Sequence, residues 1–264
     1  MFKKIVPITI KDHKNTKVKS IDNFDFVKNI HLASVMVHEF SRAASTYPIV
    51  FLEDKVNDQF RPVVMLGLQE GENLFVQDGK WSASYIPAII RRYPFALSKT
   101  GEDNRYVICI DQDSEFINET EGQALFNEDG TGSEVIDRVK KYLTELQQME
   151  IFTEEFCKTM KHENMFTPLN MKVRVGDEIK NVGGAYVINE ERFNSLSDEK
   201  FVELRKKQYL PVVYSHLSSL AQIERLLGFK DKSHTVTETI EDRFDDKVTV
   251  VEPKTTAKKP TTKK

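Results

Sequence analysis

The chain has 264 residues, 39% hydrophobic and 30% charged, with a formal net charge of −3 at pH 7. That composition is globular, on the polar side, and the length is enough to bury a substantial core. Residues 253–264 carry five lysines and no acid, so the rest stands at −8; a mildly acidic body argues against a nucleic-acid partner for the folded part, since phosphate affinity needs concentrated positive charge. Two separated cysteines, Cys109 and Cys157, are too few for a disulfide framework or a zinc site. No run reaches the roughly 20 apolar residues that span a bilayer, and the N-terminus lacks a signal-peptide pattern. The expectation is a cytoplasmic chain without a transmembrane segment, or one that reaches the cell surface by a signal-independent route.

Ile5-Val6-Pro7-Ile8-Thr9-Ile10 alternates and is β-branched, which predicts a strand with Pro7 at a sheet edge. Lys11 to Asn23 is polar and reads as an exposed connection. Leu32, Val35 or Met36, and Phe40 share a helical face, so a helix is expected from about Ser34 to Ala44, with a strand from near His31 as the alternative. Tyr47–Leu52, Arg61–Leu68 and Asn73–Val76 read as strands of an antiparallel meander with short polar links. Trp81 to Phe95, WSASYIPAIIRRYPF, then gathers the only tryptophan, two tyrosines and two adjacent arginines. Its two X-Pro steps, Ile86-Pro87 and Tyr93-Pro94, bracket one or two helical turns. Tyr106–Ile110 is a further strand.

Beyond Asp111 the pattern turns helical. Ser133 is a good N-cap for a helix to about Met149 with an apolar stripe of Val135, Ile136, Val139, Leu143 and Leu146. Thr153 caps a second helix carrying Phe156, Cys157 and Met160. Leu169–Val175 and Val182–Ile188 form a hairpin through Gly176-Asp177, followed by helices over Asn189–Leu196, Phe201–Lys206 and Leu210–Leu227. Residues 253–264 are low in complexity and predict disorder, with 230–252 a transition. The fold class is α+β: a mainly antiparallel sheet from the N-terminal half, packed against helices from the C-terminal half in one domain over residues 1–229.

Several blocks together resemble the SapC family of bacterial surface-layer-associated proteins. They are His38-Glu39-Phe40, Tyr47-Pro48-Ile49-Val50-Phe51, Gly67-Leu68 with Gly71–Val76, Trp81, and above all Tyr85-Ile86-Pro87-Ala88 with Arg91-Arg92-Tyr93-Pro94-Phe95. Leu125-Phe126, Gly184-Ala185-Tyr186 and Tyr214–Leu220 are similar to later blocks of that family. The resemblance covers about Ile5 to Leu227. It implies an association with surface-layer or envelope systems, in some members as accessory partners of peptide-modifying or uptake systems, and brings no catalytic residues with it.

The residues themselves offer a few candidate chemistries. Arg91 and Arg92 present planar forks suited to a carboxylate or phosphate, and Trp81, Tyr85 and Tyr93 could stack a ligand beside them; the competing reading is a packing corner in which at most one arginine is buried. His31, His38 and Glu39 form a weak metal candidate, at a spacing that is not the HExxH motif. Ser215-His216 lacks a nucleophile elbow, the glycine pairs fit no phosphate loop, and Asp111 with Asp113 reads as a solvated strand end. The expectation is a non-catalytic binding or assembly protein for a protein or peptide partner, without a cofactor and with oligomerisation open. The alternative is a peptide-modifying enzyme, metal-assisted, or its accessory subunit.

Overall fold

The computed structural model describes residues 1–100, 105–175 and 178–230. Eight strands carry two main sheets: β1 (Ile5–Pro7), β2 (Leu32–Ser34), β3 (Ile49–Asp54), β4 (Gln59–Met65), β5 (Phe95–Thr100), β6 (Arg105–Asp111), β7 (Phe166–Pro168) and β8 (Tyr186–Ile188). The larger sheet has the order β7-β8-β3-β4-β2 and the smaller β1-β6-β5, with antiparallel pairing throughout. Pro7 lies on β1, an edge strand, where its missing N–H costs no ladder bond. The β3–β4 hairpin turns where Asp54 Oδ1 accepts the Val56 and Asn57 N–H groups, both at 3.2 Å, an Asx turn that explains why the polar link is so short.

The helices are α1 (Ala88–Arg91), α2 (Glu134–His162), α3 (Asp198–Lys206), α4 (Leu210–Ser219) and α5 (Gln222–Lys230), with further single turns over Phe40–Ala43 and Glu190–Asn194. Ser133 caps α2 as expected, its Oγ accepting from Val135 N–H at 3.2 Å. At 29 residues α2 is about 43 Å long, and it ties the two sheets together. Leu143 and Leu146 pack with Phe95 and Ile110 of the smaller sheet. One end further on, Phe156, Cys157 and Met160 join Phe51, Val64 and Ile188 of the larger. The architecture is α+β, with antiparallel sheets supplied mainly by the first half and helices by the second; β7 and β8, from the second half, complete one side of the larger sheet.

Several local expectations are corrected. Ser34–Ala44 is not one helix: β2 pairs Leu32 with Met65 and Ser34 with Val63, then a 3-10 turn at Val37–Glu39 leads into Phe40–Ala43. Thr153 does not start a second helix but lies inside α2, its hydroxyl donating to Met149 O at 2.7 Å and accepting from Val37 N–H at 3.1 Å. The hairpin after α2 has two separate pairings, Met171–Val175 with Glu178–Val182 and β7 with β8; Gly176-Asp177 and residues 231–264, the foreseen turn and tail, lie outside the described residues. The final helical run breaks into α4 and α5 around Leu220. Among the described residues no helix is long and apolar enough to cross a membrane.

Candidate functional site

Trp81 to Phe95 forms the corner between the two sheets. Tyr85 and Ile90 belong to the core beside the larger sheet, Ala88 and Phe95 to the core beside the smaller. Pro87 ends the extended approach and α1 supplies one turn, as the proline bracket requires; the Tyr93–Pro94 bond is cis. A carboxylate holds this corner from within. Glu39, 5% exposed, accepts through Oε1 from Ala88 N–H at 2.8 Å and from the Tyr85 hydroxyl, and through Oε2 from Met36 N–H at 2.9 Å. The Tyr47 hydroxyl donates to Tyr85 O, and Trp81 Nε1–H is shared between that hydroxyl and Tyr85 O at 3.0 Å each. Burial, then the Glu39 carboxylate, push the Tyr85 phenol far above its ordinary value; burial does the same to Tyr47. Both phenols therefore remain donors across the physiological range.

A second carboxylate anchors the far end of the corner. Asp111 is 0% exposed and accepts from the Lys3 and Lys4 N–H groups at 2.9 and 2.8 Å and from the Tyr93 hydroxyl at 3.2 Å. Burial alone would raise its pKa, but those hydrogen bonds prevail and hold it below the ordinary carboxylate value. The expectation of a solvated strand end is thus corrected: Asp111 is a structural acceptor.

The outer side of the corner is different. Arg91, Arg92, Tyr93 and Phe95 line a cleft of about 480 Å³ whose opposite walls are α2 and the segment around Val18 to Phe24. Arg91 is exposed, its Nε–H donating to Ile86 O at 2.9 Å and its guanidinium lying 5.7 Å from the Tyr85 ring and 5.8 Å from the Tyr142 ring. Arg92 is half-buried and lies 5.5 Å from the Phe2 ring; its Nε is buried with no hydrogen-bond partner. Burial lowers the Arg92 pKa, with Glu150 and Tyr142 pulling the other way. Among the described residues neither arginine forms an ion pair. Two more cations edge the cleft, Lys19 and Arg138, over an apolar floor of Val18, Ile21, Val139 and Leu143.

Of the five residues expected to form a binding surface, the structure brings Arg91, Arg92 and Tyr93 to the cleft. Trp81 and Tyr85 instead lie behind it, Trp81 stacked on Phe75 and 5.7 Å from Phe24. Tyr142, Arg138 and Lys19 were missed. Tyr142 and Arg138 flank the α2 stripe at helical spacing from Val139 and Leu143, which is the one signal that could have found them; Lys19 sits in a stretch read as an exposed connection, where Val18 pairs with Ile117 and Gln123.

The remaining candidates scatter. His38 is exposed and packs edge-on against Phe152 at 4.9 Å, while Glu39 turns inward to the corner; His31 contributes its carbonyl to the Leu66 and Gly67 N–H groups. Among the described residues no group of three or more His, Cys, Asp or Glu side chains converges. His216 is 0% exposed, its Nε2 accepting from Ile188 N–H at 3.0 Å, and burial pulls its pKa to about 3. It is a neutral bracket between α4 and β8. Cys109 and Cys157 are buried, and burial raises both thiols, Cys157 to about 12, which disfavours the reactive thiolate.

The sequence profile described as SapC matches residues 8–226. No curated protein and no solved structure matches the chain.

Proposed function

The chain belongs to the SapC family, and on that premise we propose that it is a binding or assembly protein of a bacterial surface-layer or envelope system, holding an acidic protein or peptide partner in the cleft between the Trp81–Phe95 corner and α2. One observation carries this reading: two adjacent arginines, neither in an ion pair among the described residues, line a cleft with an apolar floor. A structural arginine at a packing corner is ordinarily neutralised by a carboxylate, and here both nearby buried carboxylates, Glu39 and Asp111, bond to N–H groups and tyrosine hydroxyls instead. Glu150 raises the Arg92 pKa without reaching ion-pair distance, so both arginines remain available to an external anion.

The corner suits binding better than chemistry. Its buried acid and phenols are fixed in mutual hydrogen bonds, and a preorganised rigid wall limits the entropy lost on capture. The test is photocrosslinking from a benzophenone residue placed at Val139, half-buried in the cleft, with Val56, 93% exposed on the β3–β4 turn, as control. We expect a discrete crosslinked envelope protein or peptide from Val139 and none from Val56. Equal, diffuse labelling at both positions would remove the cleft from consideration.

A further inference from the structure

We propose that the part of the partner seated in this cleft is a peptide C-terminus, its free α-carboxylate held at Arg91 and Arg92 and its aliphatic last side chain lying on the apolar floor. This rests on the cleft being the partner-binding surface, and it specifies the chemistry that enters.

The polar character of the walls points to an acceptor-rich ligand. Four cationic side chains line the cleft, the two tyrosine hydroxyls there are already directed at Asp111 and at the Ala88 carbonyl, and no Asp, Glu, Asn or Gln is among the lining residues. A ligand that brings donors finds no carboxylate or amide side chain to receive them. The four cations are also unequal. Lys19 lies 3.6 Å from Glu121, and Arg138 lies 3.7 Å from Glu134 and donates to Gln123 at 2.7 Å. Arg91 and Arg92 have no carboxylate within ion-pair distance among the described residues, Glu150 acting on Arg92 only from further off, so the least compensated charge sits on this adjacent pair, which fits one anionic group rather than a string of them.

Size and floor narrow the class further. A volume of about 480 Å³ falls in the range of small-ligand pockets, roughly 300–1,000 Å³, enough for a few residues and too small for a folded face. An internal acidic side chain would bring chain on both sides of its carboxylate, whereas a chain end puts the anion and an adjacent apolar side chain at the same place. A fatty acid would match the anion and the floor. It would leave Lys19 and Arg138 facing hydrocarbon, where a peptide offers them backbone carbonyls.

The test is calorimetric titration of the full chain with an N-acetylated pentapeptide ending in valine and leucine, compared with the same peptide as its C-terminal amide and with dodecanoate. The free acid is expected to bind and the amide to bind roughly tenfold or more weakly. Arg91→Gln and Arg92→Gln should each weaken the acid and shrink the gap between acid and amide; Arg91, exposed, keeps the test valid if Arg92→Gln fails to fold. An acid that does not bind at millimolar concentration, an amide that binds as well, or dodecanoate binding as tightly as the peptide overturns the proposal. If Val139 still crosslinks a partner in any of those cases, only the terminus is wrong. If Val139 crosslinks nothing, the cleft reading itself falls.

Discussion

The two sides of the Trp81–Phe95 corner share fifteen residues and follow opposite rules. On the inner side every strong polar group has a partner: Glu39 receives three donors, Asp111 at least three, and Tyr47, Tyr85 and Trp81 close a hydrogen-bonded ring around one carbonyl. On the outer side neither guanidinium has a carboxylate within ion-pair distance among the described residues, Glu150 acting on Arg92 only from further off, and the buried Arg92 Nε has no acceptor. A buried polar group without a partner is costly, so folding drives the inner side to completion. Arg91, exposed at the cleft, faces no such pressure. At this corner the completed side holds the fold and the cationic side open to the cleft is the part available to a ligand; an orphaned polar atom alone does not mark a site, since Nδ1 of the fully buried His216 also lacks a partner.

The difference can be broken most severely at Glu39. Replacing Glu39 with alanine strands the Met36 and Ala88 N–H groups and the Tyr85 hydroxyl in the core. At about 1–3 kcal/mol for each unsatisfied donor, with partial relaxation, the loss should be about 4 kcal/mol in urea unfolding. A loss below about 1 kcal/mol would mean that the corner is not held by this carboxylate.

A smaller, pH-dependent effect should appear at Asp111. Its folded pKa is held below the ordinary value of 3.8, so its contribution to stability is present above that value and disappears as pH falls through the lower folded pKa. Asp111→Asn should therefore be less stable than wild type at neutral pH, with the difference narrowing in acid below about pH 3.8. Unfolding curves at pH 7 and in stepwise more acidic buffers measure this. A difference that stays constant, or widens, in acid would show that the carboxylate charge is not what binds the Lys3 and Lys4 amides.

Much of this was legible from the residues, and the failures have a common cause. The proline bracket around α1, the Ser133 cap and the edge position of Pro7 are local signals, decided within a few residues. Thr153 misled because a threonine ahead of glutamates looks like a cap; only its bond to Val37, 116 positions away, shows it is interior. The Leu32–Ala44 stretch misled because a short apolar run fits helix or strand alike until a partner strand is known. The Glu39 and Asp111 roles depend on contacts made over 49 and 107 positions, which no local pattern reports. The arginines were legible as a charged pair. The cleft was not, since its walls come from three distant segments.

The smallest expected effect on stability, and the largest on binding, belongs to the arginines, and the double variant Arg91→Gln/Arg92→Gln measures both together. Its thermal midpoint should lie within about 3 °C of wild type, corresponding to about 1 kcal/mol or less, while capture of the partner crosslinked at Val139 is lost. A midpoint lowered by about 10 °C or more, with the remaining folded protein capturing that partner as wild type does, would contradict the division of the corner into a holding side and a binding side.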